Sequence, residues 1–460
     1  MGGINTSLSI GMQALEATQG ALDATSNNIA NANTAGYTRE VAQFSENEET
    51  LSGSGVSGGG VTLDGLQSIR DELLNLQIQQ QTSLQSSADT QSSTLSQIQS
   101  YFSTSSGGDL ASALSSFSTS ISQLSADPTS SAAQQSVLSA GQDLADSFND
   151  TANGLTGAQS DANGQVTQTV SQINTLTSQI AQLNGQLSQI TAAGQDGGTV
   201  QDQRDELVQQ LSALTGVSVT QNSDGETITT GNGTPLVMGN QSFTLQTTTG
   251  SDGMQHVLDS NGTDITTSLQ GGTLGGAIQI RDQTIPGFLT QLNTLASQFA
   301  SAFNAAQAMG FDSNGKTGQD FFSVPANPND AASGIAVVIS DPSLVASSSD
   351  GSAGSNGNIA NLSAALTNVL PSGQTPAAAY SSLVFQVGNS ASNASSQSTA
   401  IGLNLQQLTT LQGSVSAVDT NEEATNLLRF QTAYEAAARI VSTVQQLSTV
   451  TLNMGTSGGY

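Results

Sequence analysis

The chain has no cysteine and no tryptophan, a single histidine, and only 7 basic residues against 35 acidic ones. The absence of cysteine removes disulfides, thiol nucleophiles and cysteine-based metal sites together. The shortage of Lys and Arg excludes nucleic acid as a partner, because counterion release needs basic clusters on one face, and it excludes a polybasic membrane patch for the same reason. No stretch approaches the roughly 18 consecutive apolar residues of a membrane span. The first basic residue is Arg39, so no charged segment precedes a short apolar one and no cleavable signal peptide is expected. Charge of either sign makes up 9% of the residues, against about 25% in ordinary globular chains. Ser, Thr, Asn and Gln carry the surface instead, and salt bridges are not expected to organise the molecule.

What the chain does have is helical periodicity at both ends. Leu8, Met12, Leu15, Leu22 and Ile29 fall on a heptad seam, and so do Leu427, Phe430, Tyr434, Val441 and Val444, flanked by Ile440 and Leu447. The second seam starts at Thr420 with Glu422 and Glu423 in the first turn, where negative charge meets the positive end of the helix dipole. The economical arrangement packs the two seams on each other and brings the ends of the sequence together. Two helices bury only part of each circumference, so the same residues are candidates for packing between subunits.

Between the ends, the acidic patch Glu46-Asn47-Glu48-Glu49 and the glycine-rich run from Gly53 to Gly60 read as loop or linker. Helical spacing runs from Gly65 onward, with a turn at Asp127-Pro128, and its longest stripe is Val166, Val170, Ile173, Leu176, Ile180, Leu183, Leu187 and Ile190. From Val217 to Ile280 the period falls to about 2, punctuated by Asn222-Ser-Asp-Gly225, Gly231-Asn-Gly233 and Asn261-Gly262, and this predicts a small antiparallel β-domain with Ala277-Ile-Gln-Ile280 as its last strand. Residues 310–374 read as loops with a hairpin and one short helix. The expected fold is mainly α with an inserted β-rich domain. A terminal coiled-coil domain comprises 1–60 and 400–460, a helical shaft comprises 61–215 and 276–399, and an outer β-rich domain comprises 216–275.

Catalytic and metal motifs are weak. Gly55-Val-Ser57-Gly-Gly59 matches a nucleophile elbow only formally, since glycine and serine flank it where a strand and a helix are required. Phe311-Asp312-Ser-Asn314-Gly315-Lys316 lacks the carboxylate of a calcium loop at its twelfth position and reads as a turn. His256 has no carboxylate at metal-ligand spacing and reads as a half-exposed strand residue. Arg204, Asp205 and Glu206 read as surface pairing. Adjacent Glu422 and Glu423 point apart on a helix and cannot serve one substrate atom. No catalytic residue, cofactor or metal is expected. Arg429 and Arg439, two of so few cations in one helix, hint at acidic groups on a neighbour.

Ser26-Asn-Asn-Ile-Ala-Asn-Ala-Asn-Thr-Ala-Gly-Tyr-Thr-Arg39 resembles the N-terminal signature of bacterial flagellar rod, hook and hook-associated proteins. Asp202 to Leu211, Gly271 to Asp282 and Asn421 to Val441 narrow the resemblance to the hook-associated protein 1 family. The motif positions are Asn31, Asn33, Gly36, Tyr37, Arg39, Glu422, Glu423 and Arg429; Ala35 and Ala417 depart from the usual Pro and Gly. The resemblance implies a structural, non-enzymatic axial protein that is exported through the flagellar type III apparatus. It implies a ring at the hook–filament junction, contacting itself, hook protein and a second junction protein or flagellin, with an export chaperone on the C-terminal helix. The alternatives are another axial component of hook or filament-cap type, or a secreted coiled-coil adhesin or hydrolase.

Overall fold

The computed structural model describes residues 2–34, 36–48, 50–52, 55–102, 109–222 and 225–456, which leaves Ala35, Glu49 and the centre of the 222–225 turn outside the described residues. Two compact units emerge, each assembled from separated stretches: 1–82, 172–245 and 403–460 form the first, and 83–171 and 246–402 the second. Their boundaries differ from the expected domain limits. The β-rich stretch 216–275 is divided between them at residue 245.

The first unit opens with helix α1 (Gly2–Asn31), followed by strands β1 (Glu40–Glu46), β2 (Thr50–Ser52), β3 (Gly55–Ser57) and β4 (Val61–Ser68). β1 pairs antiparallel with β4, and β2 with β3. Within the stretch expected to be linker and early helix, the described residues thus include the strands of a β-arm, while Gly53 and Ser54 of the expected linker lie outside the described residues. The arm's alternating exposure, with Val41 and Phe44 partly open, is strand periodicity that the acidic and glycine residues mask in the sequence. Helix α2 (Glu72–Tyr101) starts only after the arm, α3 is Leu110–Ala126, α4 is Ser131–Ala192 and α5 is Gly198–Leu214. A four-stranded antiparallel sheet follows in the order β5 (Val217–Asn222), β6 (Gly225–Thr230), β7 (Pro235–Met238) and β8 (Gln241–Ser242), with Ile228, Leu236 and Val237 buried.

The second unit holds most of the core. The hairpin β9 (Gln246–Thr249) and β10 (Gln255–Leu258) precedes helix α6 (Gly272–Gln279), a π-helical turn at Ile280–Thr284, and α7 (Ile285–Ala308). Ala277 to Ile280, expected as a strand, is helical because Leu274, Ala277 and Ile278 bury at helical spacing while Gly276 lies against the backbone of Ser87. The hairpin β11 (Phe322–Ser323) and β12 (Ala336–Val337) brackets α8 (Ala331–Gly334); α9 (Ile359–Thr367), α10 (Pro376–Ser416) and α11 (Thr420–Thr456) follow, the last belonging to the first unit. α7 buries Phe288, Leu292, Leu295, Phe299 and Phe303 on one stripe, and the rings of Phe299, Phe303, Phe321 and Phe322 surround Phe117 with centroids 5.0–6.4 Å away. Aromatic clustering supplies the packing that so few charges cannot.

The expected turn at Asp312 is present: its Oδ1 accepts from the backbone N–H of Asn314 and Lys316, both at 2.8 Å, and Gly315 has φ +73°. His256 lies on β10 with carboxylates nearer than its sequence spacing suggests. Nδ1 is 2.6 Å from Asp264 and Nε2 3.2 Å from Asp252, which raises the imidazole pKa above its ordinary value through those hydrogen bonds. Arg281, in the π-helical turn, is 1% exposed. It donates to Asn163 Oδ1 at 2.9 Å and to the Gln255 carbonyl at 2.7 Å, and pairs with Asp282 at 2.6 Å.

Candidate assembly surface

α1 and α11 run antiparallel, and the face that α1 turns inward is made of small residues. Ala17, Ala21 and Ala24 are each 2% exposed or less, with Thr25 and Asn28 below them, and Gly11 comes so close to α11 that a Cβ there would meet Val441 Cγ2 at 2.9 Å. Gly20 likewise leaves room for Leu63 of β4. Small side chains allow close approach of helix to helix and helix to sheet, and this displaces the bulkier seam residues. Leu8, Leu15 and Leu22 are only half-buried at the flank, while Met12 is 57% and Ile29 36% exposed.

α11 shows the same division. Leu427, Phe430, Val441 and Val444 are half-buried on the covered side, where Phe430 meets Phe44 of β1 at 6.5 Å between centroids. Arg429 lies over the Phe430 ring at 4.9 Å. On the opposite side Leu428 and Val450 are more than half exposed; Ile440 and Leu447, equally open, lie on the flank, where Ile440 Cγ2 would be 3.6 Å from a Cβ at Gly11, and Tyr434 is partly open. Leu403 and Leu411, in the first-unit part of α10, are also open. A row of apolar side chains facing water along a helix whose other face is covered is the mark of an interaction surface.

The two helices are tied by charge at one end. Arg39 Nε donates to Glu423 at 2.7 Å and its Nη2 to Glu422 at 2.6 Å, while the Arg39 N–H reaches the Ser416 carbonyl at 3.0 Å. Burial alone would lower the Arg39 pKa, and the hydrogen bonds to Glu422 and Glu423 outweigh it and raise it. Neighbouring glutamates thus meet different nitrogens of one guanidinium, in addition to occupying the first turn of the helix. Asp419 caps that turn by accepting from the Asn421 N–H at 2.8 Å.

The tie continues inward. Asn28 closes on Glu40 with both amide atoms, accepting from its N–H at 3.0 Å and donating to its carbonyl at 2.8 Å, and it also accepts the Tyr37 hydroxyl at 3.0 Å. Burial, together with Glu40, Asp202 and Glu423, pushes the Tyr37 phenol up to about 12. Thr38 donates its N–H and hydroxyl to Asp202, which Arg70 also holds at 2.7 Å while pairing with Asp205. Burial raises the Asp202 carboxyl above its ordinary range even so.

Arg204 completes the set by bridging Asp205 and, at 2.7 Å, Glu226 of β6. It is 5% exposed, so the expectation of weak surface pairing is corrected for Arg204 and Asp205, while Glu206 is exposed as expected. The expectation that ion pairs do not organise the molecule is corrected with it: 3 of the 7 basic side chains converge on this node. Desolvation, opposed by Arg204, lifts the Glu226 carboxyl to about 7.

Of the motif positions, Tyr37, Arg39, Glu422 and Glu423 belong to the node, and Gly36, at φ +77°, turns the chain into it. Asn31 is half-buried, Asn33 and Arg429 are exposed, and Ala35 lies outside the described residues. Sequence reading missed Asn28, Thr38, Arg70 and Asp202 as members. Charge scarcity was the available signal, because a cation in such a chain is seldom idle.

Antiparallel terminal helices with an outward apolar face define an assembly component rather than a cleft-based site. Among the described residues no group of three or more His, Asp or Glu is placed to hold a metal, and no helix is long and apolar enough to cross a membrane. Residues 95–322 match the helical domain of flagellar hook-associated protein FlgK, 8–38 the flagella basal body rod protein family and 411–454 the C-terminal domain of the flagellar basal body rod FlgEFG proteins. The chain is 30% identical to flagellar hook-associated protein 1 of Bacillus subtilis, with 97% of each chain covered, and 27% identical to that of Escherichia coli, covering 96% of this chain and 98% of the relative. In fold it is similar to the flagellar hook junction protein FlgK from Burkholderia pseudomallei, at TM-score 0.68 and 19% identity over 74% of this chain and all of the other. The chain belongs to the flagellar hook-associated protein 1 family, structural components of the bacterial flagellum.

Proposed function

We propose that this protein forms a ring of identical subunits joining hook to filament, and that it acts by packing rather than by catalysis. The observation that carries this reading is the outward apolar face of α11, continued by Met12 on α1 and by Leu403 and Leu411 on α10. Burying one such side chain contributes about 1.5–3 kcal/mol, and a ring repeats that gain at every interface. Hook protein meets the ring on one side and a second junction protein or flagellin on the other. Before export a chaperone covers the same C-terminal face, which would otherwise invite premature association. Residues 216–275 stay off the assembly surface; Met238 is the single large apolar residue there among those described as strongly exposed.

The test replaces Leu428 and Leu447 with Asp in the full chain, expressed in a strain lacking its own copy. Both side chains are more than half exposed, so the purified variant should unfold at the wild-type temperature. The cells should build hooks, shed filament protein into the medium and lack filaments. Normal filaments would overturn the proposal. Loss of the hooks themselves would point to a hook-type component instead.

A further inference from the structure

Apolar packing does not by itself say which helix of one copy meets which helix of the next, but the distribution of charge does. Four of the 7 basic residues, Arg39, Arg70, Arg204 and Arg281, form ion pairs within the chain. Arg429 and Arg439 form none among the described residues, and both are exposed on α11: Arg439 lies near Leu428 on the side away from α1, and Arg429 lies at the flank with Leu447, over the Phe430 ring. α1 carries two ionisable side chains, Glu16 and Asp23, both exposed and without an ion pair among the described residues. At about 3.6 residues per turn they share a face with Met12, opposite the face that Ala17, Ala21 and Ala24 bury. The outer face of α1 is thus purely acidic. The outer face of α11 carries Arg439 and, one turn before it, Glu435, with Arg429 at the flank, so two positive charges and one negative leave it net positive against the two carboxylates of α1.

The levels of these charges also agree. Gly11 lies against Val441, and the helices are antiparallel because Arg39, just beyond α1, reaches Glu423 near the start of α11. Asp23 is 12 residues on from Gly11 and Arg429 is 12 residues back from Val441, so the two stand at the same height. Counted the same way, Glu16 and Arg439 differ by three residues, about 4.5 Å at 1.5 Å per residue, which a long arginine side chain spans. Within one copy each pair is kept apart by the helices between them. In a ring generated by rotation about an axis along the helices, heights are preserved, so placing the outer face of α11 in one copy against the outer face of α1 in the next would bring these charges level.

We propose that Arg429 and Arg439 of one copy pair with Asp23 and Glu16 of a second copy, making the contact heterologous and head to tail, as ring closure requires. This rests on the junction-ring reading and adds to it which faces meet and in what register. Charge complementarity of this kind selects partner and register more than it adds affinity.

The test is a charge swap in the full chain, again in a strain lacking its own copy. Arg429→Glu with Arg439→Glu, and separately Glu16→Arg with Asp23→Arg, should each reduce filament number about tenfold, since like charges then meet at every interface of the ring. Combining all four should restore filaments to within about twofold of wild type, the pairing being regained in reverse. Because the chain has no cysteine, Asp23→Cys with Arg429→Cys offers a second measurement: a short bis-maleimide applied to isolated hook–filament junctions should give a ladder of crosslinked copies. Reversed pairs that assemble normally, a fourfold variant no better than its parents, or a lack of crosslinked ladder would each overturn the proposal. If the Leu428 and Leu447 variant still abolishes filaments in that event, the junction reading stands and only this pairing falls.

Discussion

Arg39→Met tests the node directly, and the structure supplies its own control. Arg39 holds two glutamates that differ in depth: the Glu423 side chain is 3% exposed and that of Glu422 54%, while Arg39 retains 20%. Removing one partner of a buried pair costs about 3–5 kcal/mol because the other charge is stranded. The partial exposure of Arg39 places this case nearer about 2–3 kcal/mol. Glu422→Gln, which removes only the exposed contact, should cost about 0–1 kcal/mol. Combining Arg39→Met with Glu423→Leu should recover part of the loss, since no charge is then left uncompensated. Amide hydrogen exchange along residues 420–430 of the purified chain reads these values as local opening free energies, separately from the aromatic core of the second unit. If Arg39→Met and Glu422→Gln give equal protection within about 0.5 kcal/mol, the node is not holding the two helices and the reasoning fails.

Gly276→Ala should lower the unfolding temperature of the second unit, because the added Cβ would sit 2.8 Å from the Ser87 carbonyl oxygen, an overpacking worth about 1–3 kcal/mol; calorimetry would show it, and an unchanged transition would count against the tight α2–α6 contact. The pH dependence of the first unit should carry the mark of Glu226, whose carboxyl is lifted from 4.5 to about 7 by burial. Between those values the folded chain holds a proton that the unfolded chain has released, so this group favours folding at the acid end, and its contribution declines as pH rises from about 4.5 to about 7. Glu226→Gln should flatten that slope in urea titrations at pH 5 and pH 7; an unaltered slope would place its origin elsewhere.

Much of the architecture was legible because periodicity survives in a charge-poor sequence. The stripe from Val166 to Ile190 lies within α4, and the seams at both ends fall on α1 and α11. The β-arm was not legible, since Glu46-Asn47-Glu48 and the glycines beyond it carry the composition of a loop, while the strands Glu40–Glu46, Gly55–Ser57 and Val61–Ser68 lie among and around them. Ala277 to Ile280 has a pattern compatible with either period, and only packing against α2 selects the helix. The node was hidden for another reason. Arg39 and Glu423 are 384 residues apart, and no local rule connects them; the scarcity of cations marks such residues as candidates without naming their partners.

The alanine-lined side of α1 has a consequence for how this protein exists alone. A soluble helical hairpin ordinarily keeps its bulk inside and its polarity outside. Here the order is partly inverted: α1 offers only methyl-sized groups and Gly11 to the interior, against Val441 of α11, while Leu428, Leu447 and Val450 remain in water. A solitary subunit is thus unfinished in the way that an arch stone is, shaped by neighbours it has not yet met. Its solubility must be borne by the Ser, Thr, Asn and Gln distributed over the rest of the surface, which stay compatible with crowding because they carry no charge to repel the next copy.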